Sequence, residues 1–271
     1  EPRVDPADPN IVYSMSQNGA ISRLDLRTGE SVSIRPAQEL REGVRWNWEA
    51  PFIISPHSPS RLYLAGSSLY RSDDRGSSWK RISADLTRAI DRDELPMMGR
   101  LWGPDAVWKN VFTTDYGVAS ALDESTLREG LIAVGTDDGL VQISEDGGAT
   151  WRKIETFPGV PDKAYVSDIA LSQHDANVIY ASFHNFQYGD FKPYLLKSTD
   201  LGRTWKSISG NLPSRGSTWS IAEDHVNPQL LFLGTEFALY VSLDGGGAWH
   251  ALGGLPTIMA RDLAIQKREH D

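Results

Sequence analysis

Two carboxylates and two glycines lie side by side in the segment SEDGGATW, which runs from Ser144 to Trp151. A cluster of this kind could chelate calcium or bind a phosphate group. A calcium loop, however, requires several carboxylates or carbonyls at alternate positions and a terminal glutamate. The pattern Ser-x-Asp-x-Gly-x-x-Trp occurs four times in the chain, and the four copies share a single acidic position. The repetition therefore predicts a structural element, and we expect neither a metal ion nor a cofactor.

The four copies are candidates for hairpin turns. Ser and Asp side chains accept hydrogen bonds from the backbone N–H groups of a tight turn, and Gly supplies the positive φ that such a turn needs. An alternating strand precedes each copy, and an apolar residue follows each Trp three positions later. We therefore predict that each copy joins two strands and that its Trp fills the gap to a neighbouring strand. The residues concerned are Asp74 and Trp79, Asp146 and Trp151, Asp200 and Trp205, and Asp244 and Trp249.

Two further strand patterns recur upstream of each copy, and the same patterns precede a degenerate copy without Trp at 24–30. The chain therefore reads as five units of short strands, four in each regular unit. We place these units at about 10–35, 48–84, 117–156, 165–209 and 218–252. Four-stranded antiparallel units without helical periodicity between them are typical of β-propeller blades. The sequence therefore predicts an all-β fold, in which residues 1–271 form a single propeller region that is either complete or part of a larger propeller.

The two ends of the chain differ from the regular units. The first unit begins with its second strand, and a strand predicted at 260–267 has no later strands to pair with. These two defects are complementary. Residues 260–267 could complete the first blade and close a five-bladed ring, or the chain could be a piece of a larger propeller.

Composition excludes several classes of protein. The formal net charge of -9 and the absence of clustered Lys and Arg oppose nucleic-acid binding. No apolar run reaches the length of about 18 residues that a membrane span requires. The chain has no cysteine, which excludes disulfides and thiolate metal sites. It also begins without an apolar leader, and we expect any signal peptide to have been removed or to lie outside this segment.

The aromatic and acidic residues that could bind a ligand lie mostly in predicted loops. These loops are at one end of each blade, and the repeated turns are at the other end. Aromatic rings stack on the apolar C–H faces of sugars, and carboxylates bind sugar hydroxyls or act as an acid and base pair. We therefore predict a ligand site here, although each Trp could instead pack between blades. The candidate ligand-binding residues are Trp46, Trp48, Trp102, Trp108, Tyr188 and Asp190, with Phe186 as a further aromatic, and the candidate catalytic carboxylates are Glu49, Asp115 and Glu236.

The repeated pattern resembles the Asp-box, or BNR repeat, of sialidases, xyloglucanase-type glycoside hydrolases, sortilin-type receptors and photosystem II assembly propellers. Segments 45–88 and 134–151 resemble the C-terminal propeller region of large exported bacterial proteins known as BNR-repeat or sortilin-like glycosyl hydrolases. The resemblance implies an exported protein, which is periplasmic, at the cell surface or secreted. It also implies that the aspartates of the repeats lie far from any active site.

Two classes of function remain open. The first is a binding or scaffold propeller that recognises a glycan or a protein on its loop-rich end. The alternative is part of a glycoside hydrolase, because the resemblance to xyloglucanase-type enzymes implies a cleft between two propellers that each supply one acid. This chain alone would then be inactive, and a second propeller of the same polypeptide would be its partner. A sialidase is disfavoured, since the sequence lacks the Phe-Arg-Ile-Pro segment of those enzymes.

Overall fold

A computed structural model describes residues 2–96, 99–103, 105–106 and 115–267 of the chain. The described residues form five antiparallel sheets of four strands, and each sheet is built from consecutive strands. This confirms the predicted all-β class and the predicted four-stranded units. Within these residues, helical structure is limited to one short α-helix, α1 (Gln38–Arg41), and single turns of 3-10 helix. We refer to the five sheets, in chain order, as blades one to five.

The chain divides into two compact units, Glu1–Ser120 and Ala121–Asp271. A single propeller region over residues 1–271 therefore stays a prediction. The first unit contains blades one and two. Their strands are β1 (Pro2–Val4), β2 (Ile11–Met15), β3 (Ile21–Asp25) and β4 (Glu30–Ser33), followed by β5 (Phe52–Ile54), β6 (Leu62–Ala65), β7 (Leu69–Ser72) and β8 (Lys80–Arg81).

The second unit contains blades three, four and five, and the boundary between the units falls within the first strand of blade three. Blade three consists of β9 (Ala119–Glu124), β10 (Ile132–Thr136), β11 (Val141–Ser144) and β12 (Arg152–Ile154). Blade four consists of β13 (Tyr165–Leu171), β14 (Ile179–Asn185), β15 (Asp190–Ser198) and β16 (Lys206–Ser207). Blade five consists of β17 (Thr218–Glu223), β18 (Leu231–Thr235), β19 (Leu239–Ser242) and β20 (His250–Ala251).

The beginning of the chain forms a strand that the sequence pattern did not predict. Pro2 pairs with Ser14 and Val4 pairs with Val12, so that β1 is the first strand of blade one. The expectation that blade one lacks its first strand is therefore wrong. The strand has only three residues and starts with a proline, which is tolerated at the first residue of a strand because it need not donate an N–H there. A search for alternating apolar residues misses such a strand.

The strand expected at 260–267 is wrong as well. Residues 260–266 belong to no strand, although Leu263 and Ile265 are less exposed than their neighbours, as the alternating pattern suggests. Ala260 instead binds the end of blade five, where its N–H donates to the Thr235 carbonyl at 3.0 Å. Since β1 already provides the first strand of blade one, this segment does not complete that blade.

Each repeated turn is closed by side-chain hydrogen bonds. In the copy at 144–151, the Ser144 hydroxyl accepts the Gly148 N–H at 2.8 Å. One oxygen of Asp146 accepts the Thr150 N–H at 2.9 Å, and the other accepts the Thr150 hydroxyl at 2.6 Å. Gly148 has a φ of +95°, a conformation that other residues rarely adopt. These bonds fix the hairpin between β11 and β12.

The same arrangement recurs in blades two, four and five, where Asp74, Asp200 and Asp244 accept the backbone N–H four residues later. Hydrogen bonds to a carboxylate favour its charged form. The hydroxyl and N–H of Thr150 accordingly lower the pKa of Asp146 to about 2, and those of Thr204 lower the pKa of Asp200 to about 2. The turns are therefore held by ionised aspartates at neutral pH.

The tryptophan at the end of a turn can reach the preceding blade of the same unit. Trp249 of blade five is 3% exposed, and its indole N–H donates to the Ile208 carbonyl of blade four at 2.7 Å. In the first unit, Trp79 of blade two donates in the same way to the Ile34 carbonyl of blade one at 2.6 Å. Both acceptors directly follow the last strand of their blade. The turn of one blade therefore takes part in the packing of two blades.

Blades four and five carry equivalent apolar faces that differ in burial. Val178, Tyr180 and Leu195 of blade four pack against residues of blade five and are at most 9% exposed. The strand register aligns Ile179 with Ser198 and Leu231 with Ser242. By that alignment the equivalent residues of blade five are Leu230, Phe232 and Leu239, and all three are only partly buried. The same position in the repeat therefore contributes less apolar burial in blade five.

The variants Leu195→Ala and Leu239→Ala test this difference. Leu195→Ala should lower the free energy of unfolding by about 2 to 5 kcal/mol, because it leaves a cavity in a buried core. Leu239→Ala should lower it by less than about 2 kcal/mol, because part of that side chain already contacts solvent. Urea denaturation at neutral pH measures both values, and equal losses would contradict the assigned burial.

Acid unfolding tests the repeated turns. The pKa of Asp146 lies below its ordinary value of 3.8. Its ionised form therefore stabilises the fold above about pH 4, and this contribution is lost as the pH falls towards 2. Asp146→Asn should unfold at a lower urea concentration than the wild type at pH 6, and the gap should shrink between pH 4 and pH 2. A gap that stays constant over this interval would rule out the electrostatic contribution.

Candidate functional site

Trp46 of the first unit does not form the sugar platform that the sequence suggested. Its side chain is 6% exposed and belongs to the core of blades one and two. The ring stacks on Tyr70, with centroids 5.6 Å apart and an interplanar angle of 16°. The ligand-binding assignment of Trp46 is therefore wrong, because the ring is buried by packing.

The other predicted tryptophans of the first unit differ in their surroundings. Trp48 is 38% exposed and retains a surface that a ligand can contact. Trp102 lies beneath the guanidinium of Arg100, whose carbon is 3.5 Å from the ring centroid. Trp108 lies outside the described residues. A ligand-binding role of Trp48, Trp102 and Trp108 thus stays a prediction.

The candidate catalytic carboxylates are divided between the two units. Glu49 and Asp115 are exposed residues of the first unit, and Asp115 accepts the Trp46 N–H at 3.3 Å. Glu236 belongs to the second unit, where it begins the short turn between β18 and β19. Its N–H donates to the Ser217 carbonyl at 2.9 Å. Their catalytic roles stay predictions.

Tyr188 and Asp190 lie together at the hairpin between β14 and β15. Tyr188 is 67% exposed, so its ring is available to a ligand. Asp190 accepts the Tyr194 hydroxyl at 2.6 Å and the Lys192 N–H at 3.2 Å. These bonds use the carboxylate of Asp190 to hold the base of the hairpin on which Tyr188 is displayed.

Four aromatic side chains meet next to this hairpin, at one end of blades four and five. The His184 ring stacks on Tyr165, with centroids 4.5 Å apart and an interplanar angle of 12°. It also lies 4.5 Å from the Trp219 ring and 4.6 Å from the Phe186 ring. Phe186 and Trp219 are 5.8 Å apart. We refer to Tyr165, His184, Phe186 and Trp219 as the aromatic cluster.

Irregularities in three strand pairs help to position the cluster. The register skips Ser167 between β13 and β14 and Trp219 between β17 and β18. Between β14 and β15 it skips His184 on one strand and residues 191–193 on the other. A bulge leaves one residue unpaired and changes the direction of its side chain. His184 and Trp219 belong to the cluster, and the Ser167 hydroxyl donates to the Thr218 carbonyl at 2.9 Å. The bulges thus lie where blades four and five meet.

The centre of the cluster is uncharged at neutral pH. His184 is 1% exposed, and its burial lowers its pKa to about 4 because desolvation disfavours the imidazolium. Its Nδ1 atom lies 3.2 Å from Oε1 of Gln187, on the hairpin that displays Tyr188. The cluster is therefore a neutral aromatic surface over the ordinary range of pH.

A segment near the end of the chain crosses this part of blade five. Ala260 donates its N–H to the Thr235 carbonyl at 3.0 Å, and its own carbonyl accepts the Ser220 hydroxyl at 3.2 Å. The guanidinium of the next residue, Arg261, lies 5.2 Å from the Trp219 ring centroid, within the range of a cation–π contact. Residues 260–261 therefore cover part of the cluster.

Sequence reasoning assigned no ligand-binding role to Tyr165, His184 or Trp219. Trp219 reads as part of the strand WSIAE, and His184 ends a strand of apolar residues. The available signal was their position, since each lies where a strand meets the predicted loop-rich end.

In the part of the chain that the structure describes, no three His, Asp or Glu side chains could hold a metal ion, and no helix is long and apolar enough to cross a membrane.

Two carboxyl groups link neighbouring blades of the second unit. Asp123 of β9 accepts the Leu171 N–H of β13 at 2.8 Å. Asp168 of β13 accepts the Ile221 N–H of β17 at 2.9 Å. Burial raises the pKa of Asp123 to about 7 and that of Asp168 to about 6. Both groups therefore titrate well above the range of an ordinary aspartate.

These aspartates should give the protein a pH dependence opposite to that of the turns. A carboxyl with a raised pKa binds its proton more tightly in the folded state, so the fold loses stability as the pH rises from about 4 to about 7. We expect the free energy of unfolding to decrease over this interval, and to decrease less in Asp123→Asn. Urea denaturation at several pH values measures the two slopes. Identical slopes would contradict the raised pKa of Asp123.

Curated relatives cover 77% to 93% of the chain at low identity. No family model matches the sequence. A xyloglucanase of a Paenibacillus species is 24% identical over 288 aligned residues, which cover 93% of this chain and 26% of that protein. Xyloglucanase Xgh74A of Acetivibrio thermocellus is 23% identical and covers 77% of this chain and 26% of its own length. The chain thus spans about a quarter of the length of these relatives.

Solved structures agree with the arrangement of strands. The GH74 xyloglucanase from Xanthomonas campestris matches with a TM-score of 0.60 and 24% identity, over 93% of this chain and 38% of that chain. An ancestral GH74 enzyme matches with a TM-score of 0.55 and 19% identity, over 79% of this chain and 25% of that chain. The chain folds as β-propeller blades. This confirms the fold predicted from the repeats.

Proposed function

We propose that this chain is a carbohydrate-binding propeller region of a xyloglucanase-like glycoside hydrolase. The observation that carries the proposal is the exposed aromatic hairpin between β14 and β15, which continues the aromatic cluster. Phe186 is 37% exposed and Tyr188 is 67% exposed. Neighbouring exposed aromatic side chains are a feature of ligand-binding surfaces. Sugar rings present apolar C–H faces to such side chains.

The hairpin holds its aromatic residues in place before a ligand arrives. Phe186–Tyr188 forms one turn of 3-10 helix that ends at Gly189, which has a left-handed φ of 76°. The Tyr194 hydroxyl and Asp190 close its base. A preformed surface loses little conformational entropy on binding, so more of the stacking energy contributes to affinity. Each productive ring contributes on the order of 1 kcal/mol.

The similar proteins support xyloglucan as the ligand. The curated relatives are named xyloglucanases, and one of the matching structures is a GH74 xyloglucanase. We propose that the full polypeptide is exported, because the protein would contact a polysaccharide outside the cell. We also propose that the four repeated turns are Asp-boxes, as their shared pattern suggests.

Hydrolysis is proposed only for a longer polypeptide. Glycosidases place two carboxyl groups on either side of the scissile bond. Glu49, Asp115 and Glu236 are the candidates for one of these groups, and a second propeller of the same polypeptide would supply the other. We therefore expect this chain by itself to bind the polysaccharide without cleaving it.

Retention on immobilised xyloglucan tests the proposal. The wild-type chain should be retained, and Tyr188→Ala should weaken its affinity about threefold to tenfold, because one exposed stacking surface is lost. The melting temperature should stay within a degree or two, since the Tyr188 side chain is mostly exposed.

Leu243→Ala is the matched control, because Leu243 is 66% exposed but lies on the repeated turn at the other end of blade five. It should bind as the wild type does. The proposal fails if the wild-type chain is not retained, or if Leu243→Ala weakens retention as much as Tyr188→Ala does.

A further inference from the structure

Three buried polar atoms of blade five have no hydrogen-bond partner among the described residues. They are the Ser217 hydroxyl oxygen, the Trp219 indole nitrogen and one carboxylate oxygen of Glu236. Buried polar groups in folded proteins are nearly always paired, because an unpaired group has lost its water without gaining a partner. Three such atoms within one blade therefore call for an explanation.

The strand register brings these three residues together. Thr218 pairs with Thr235, and the Glu236 N–H donates to the Ser217 carbonyl at 2.9 Å. Ser217 and Glu236 are therefore direct neighbours across the end of the β17–β18 pair. Trp219 follows Thr218 as the bulged residue of β17. The three residues therefore lie together at one end of blade five, and Trp219 also belongs to the aromatic cluster.

The chemistry of the three atoms is complementary. An indole N–H can only donate, a carboxylate oxygen can only accept, and a serine hydroxyl does both. Adjacent hydroxyl groups of a sugar ring also offer donors and acceptors at close spacing. The rings of Trp219 and Phe186, 5.8 Å apart, supply an apolar surface for the C–H face of the same ring.

We infer that Ser217, Trp219 and Glu236 form the polar wall of a pocket for one pyranose ring with two adjacent hydroxyls, and that the aromatic cluster is its apolar wall. This inference rests on the proposed function and specifies which residues recognise the sugar. Ser217 is 1% exposed, so its hydroxyl is set into the protein and not on an open surface.

Entry of the sugar requires the segment over the pocket to move. Residues 260–261 cover Trp219, with Ala260 bonded to Thr235 and Ser220 and with the Arg261 guanidinium over the indole. A sugar that stacks on this face of Trp219 takes the place of the guanidinium. Neighbouring residues of the segment are open to solvent, since Ile258 is 62% exposed and Met259 is 40% exposed.

A buried polar group that has no hydrogen-bond partner until a ligand binds should lower the stability of the free protein. We therefore compare three conservative variants, Ser217→Ala, Trp219→Phe and Glu236→Gln, by thermal melting and by calorimetric titration with xyloglucan oligosaccharides. Trp219→Phe keeps an aromatic ring and removes only the N–H donor and part of the ring area. Ser217→Ala and Glu236→Gln should melt at the wild-type temperature or above it, and all three variants should bind the oligosaccharide about threefold to tenfold more weakly.

Ser172→Ala is the control for an ordinary buried serine. Ser172 is 2% exposed and its hydroxyl donates to Glu223 at 2.8 Å, so this variant should lower the melting temperature and leave affinity unchanged. Arg261→Ala should bind the sugar at least as tightly as the wild type, because the ligand no longer displaces the guanidinium. A severalfold loss of affinity in Arg261→Ala would contradict the position assigned to the sugar.

The two proposals fail in different ways. If the wild-type chain binds no oligosaccharide, the proposed function and the pocket both fail. If the wild type binds while the three variants keep its affinity, the pocket is wrong and the exposed hairpin remains as the site. Lower melting temperatures together with unchanged affinity would show that the three side chains serve the fold alone.

Discussion

The hydrogen bonds that an aspartate accepts in each repeated turn are the interaction on which the other features depend. In blade three, Asp146 accepts hydrogen bonds from both the N–H and the hydroxyl of Thr150. These bonds restrict the backbone at the next residue, Trp151. In blade five the equivalent tryptophan, Trp249, bonds to the preceding blade. Trp79 of blade two does the same, whereas the indole N–H of Trp151 and that of Trp205 bond within their own turns. In blades two and five, the local turn therefore also takes part in the contact between blades.

The two ends of a blade follow different physical rules. At the turn end, short side-chain bonds satisfy the backbone and the aspartates remain ionised. At the other end of blades four and five, the strand pairing is interrupted at Ser167, His184 and Trp219, and polar atoms stay unpaired. The polar groups of the first end are thus paired within the turn, whereas the second end carries side chains that the fold alone would not favour.

The sheets could be predicted from the sequence because the pattern that indicates them is repeated and depends only on nearby residues. Four copies of one pattern, each preceded by alternating apolar residues, define hairpins without knowledge of distant contacts. The strand β1 was missed because three residues beginning with Pro2 carry no such pattern. Trp46 was misassigned because a tryptophan in a loop segment looks the same in sequence whether it packs on Tyr70 or faces solvent. The aromatic cluster was missed because a bulge depends on the pairing register, which two separate strands determine together.

The bulged strand residues also affect how the sequence of a blade can change during evolution. A bulge absorbs one residue near the end of a strand, so the pairing on its far side keeps its register. In β17 the pairs from Ser220 to Glu223 remain regular although Trp219 has no partner. Insertions or exchanges beyond the bulge would therefore leave the rest of the ladder, and the turn at the opposite end, unchanged. A family of propellers built in this way could diversify its ligands blade by blade while inheriting one scaffold.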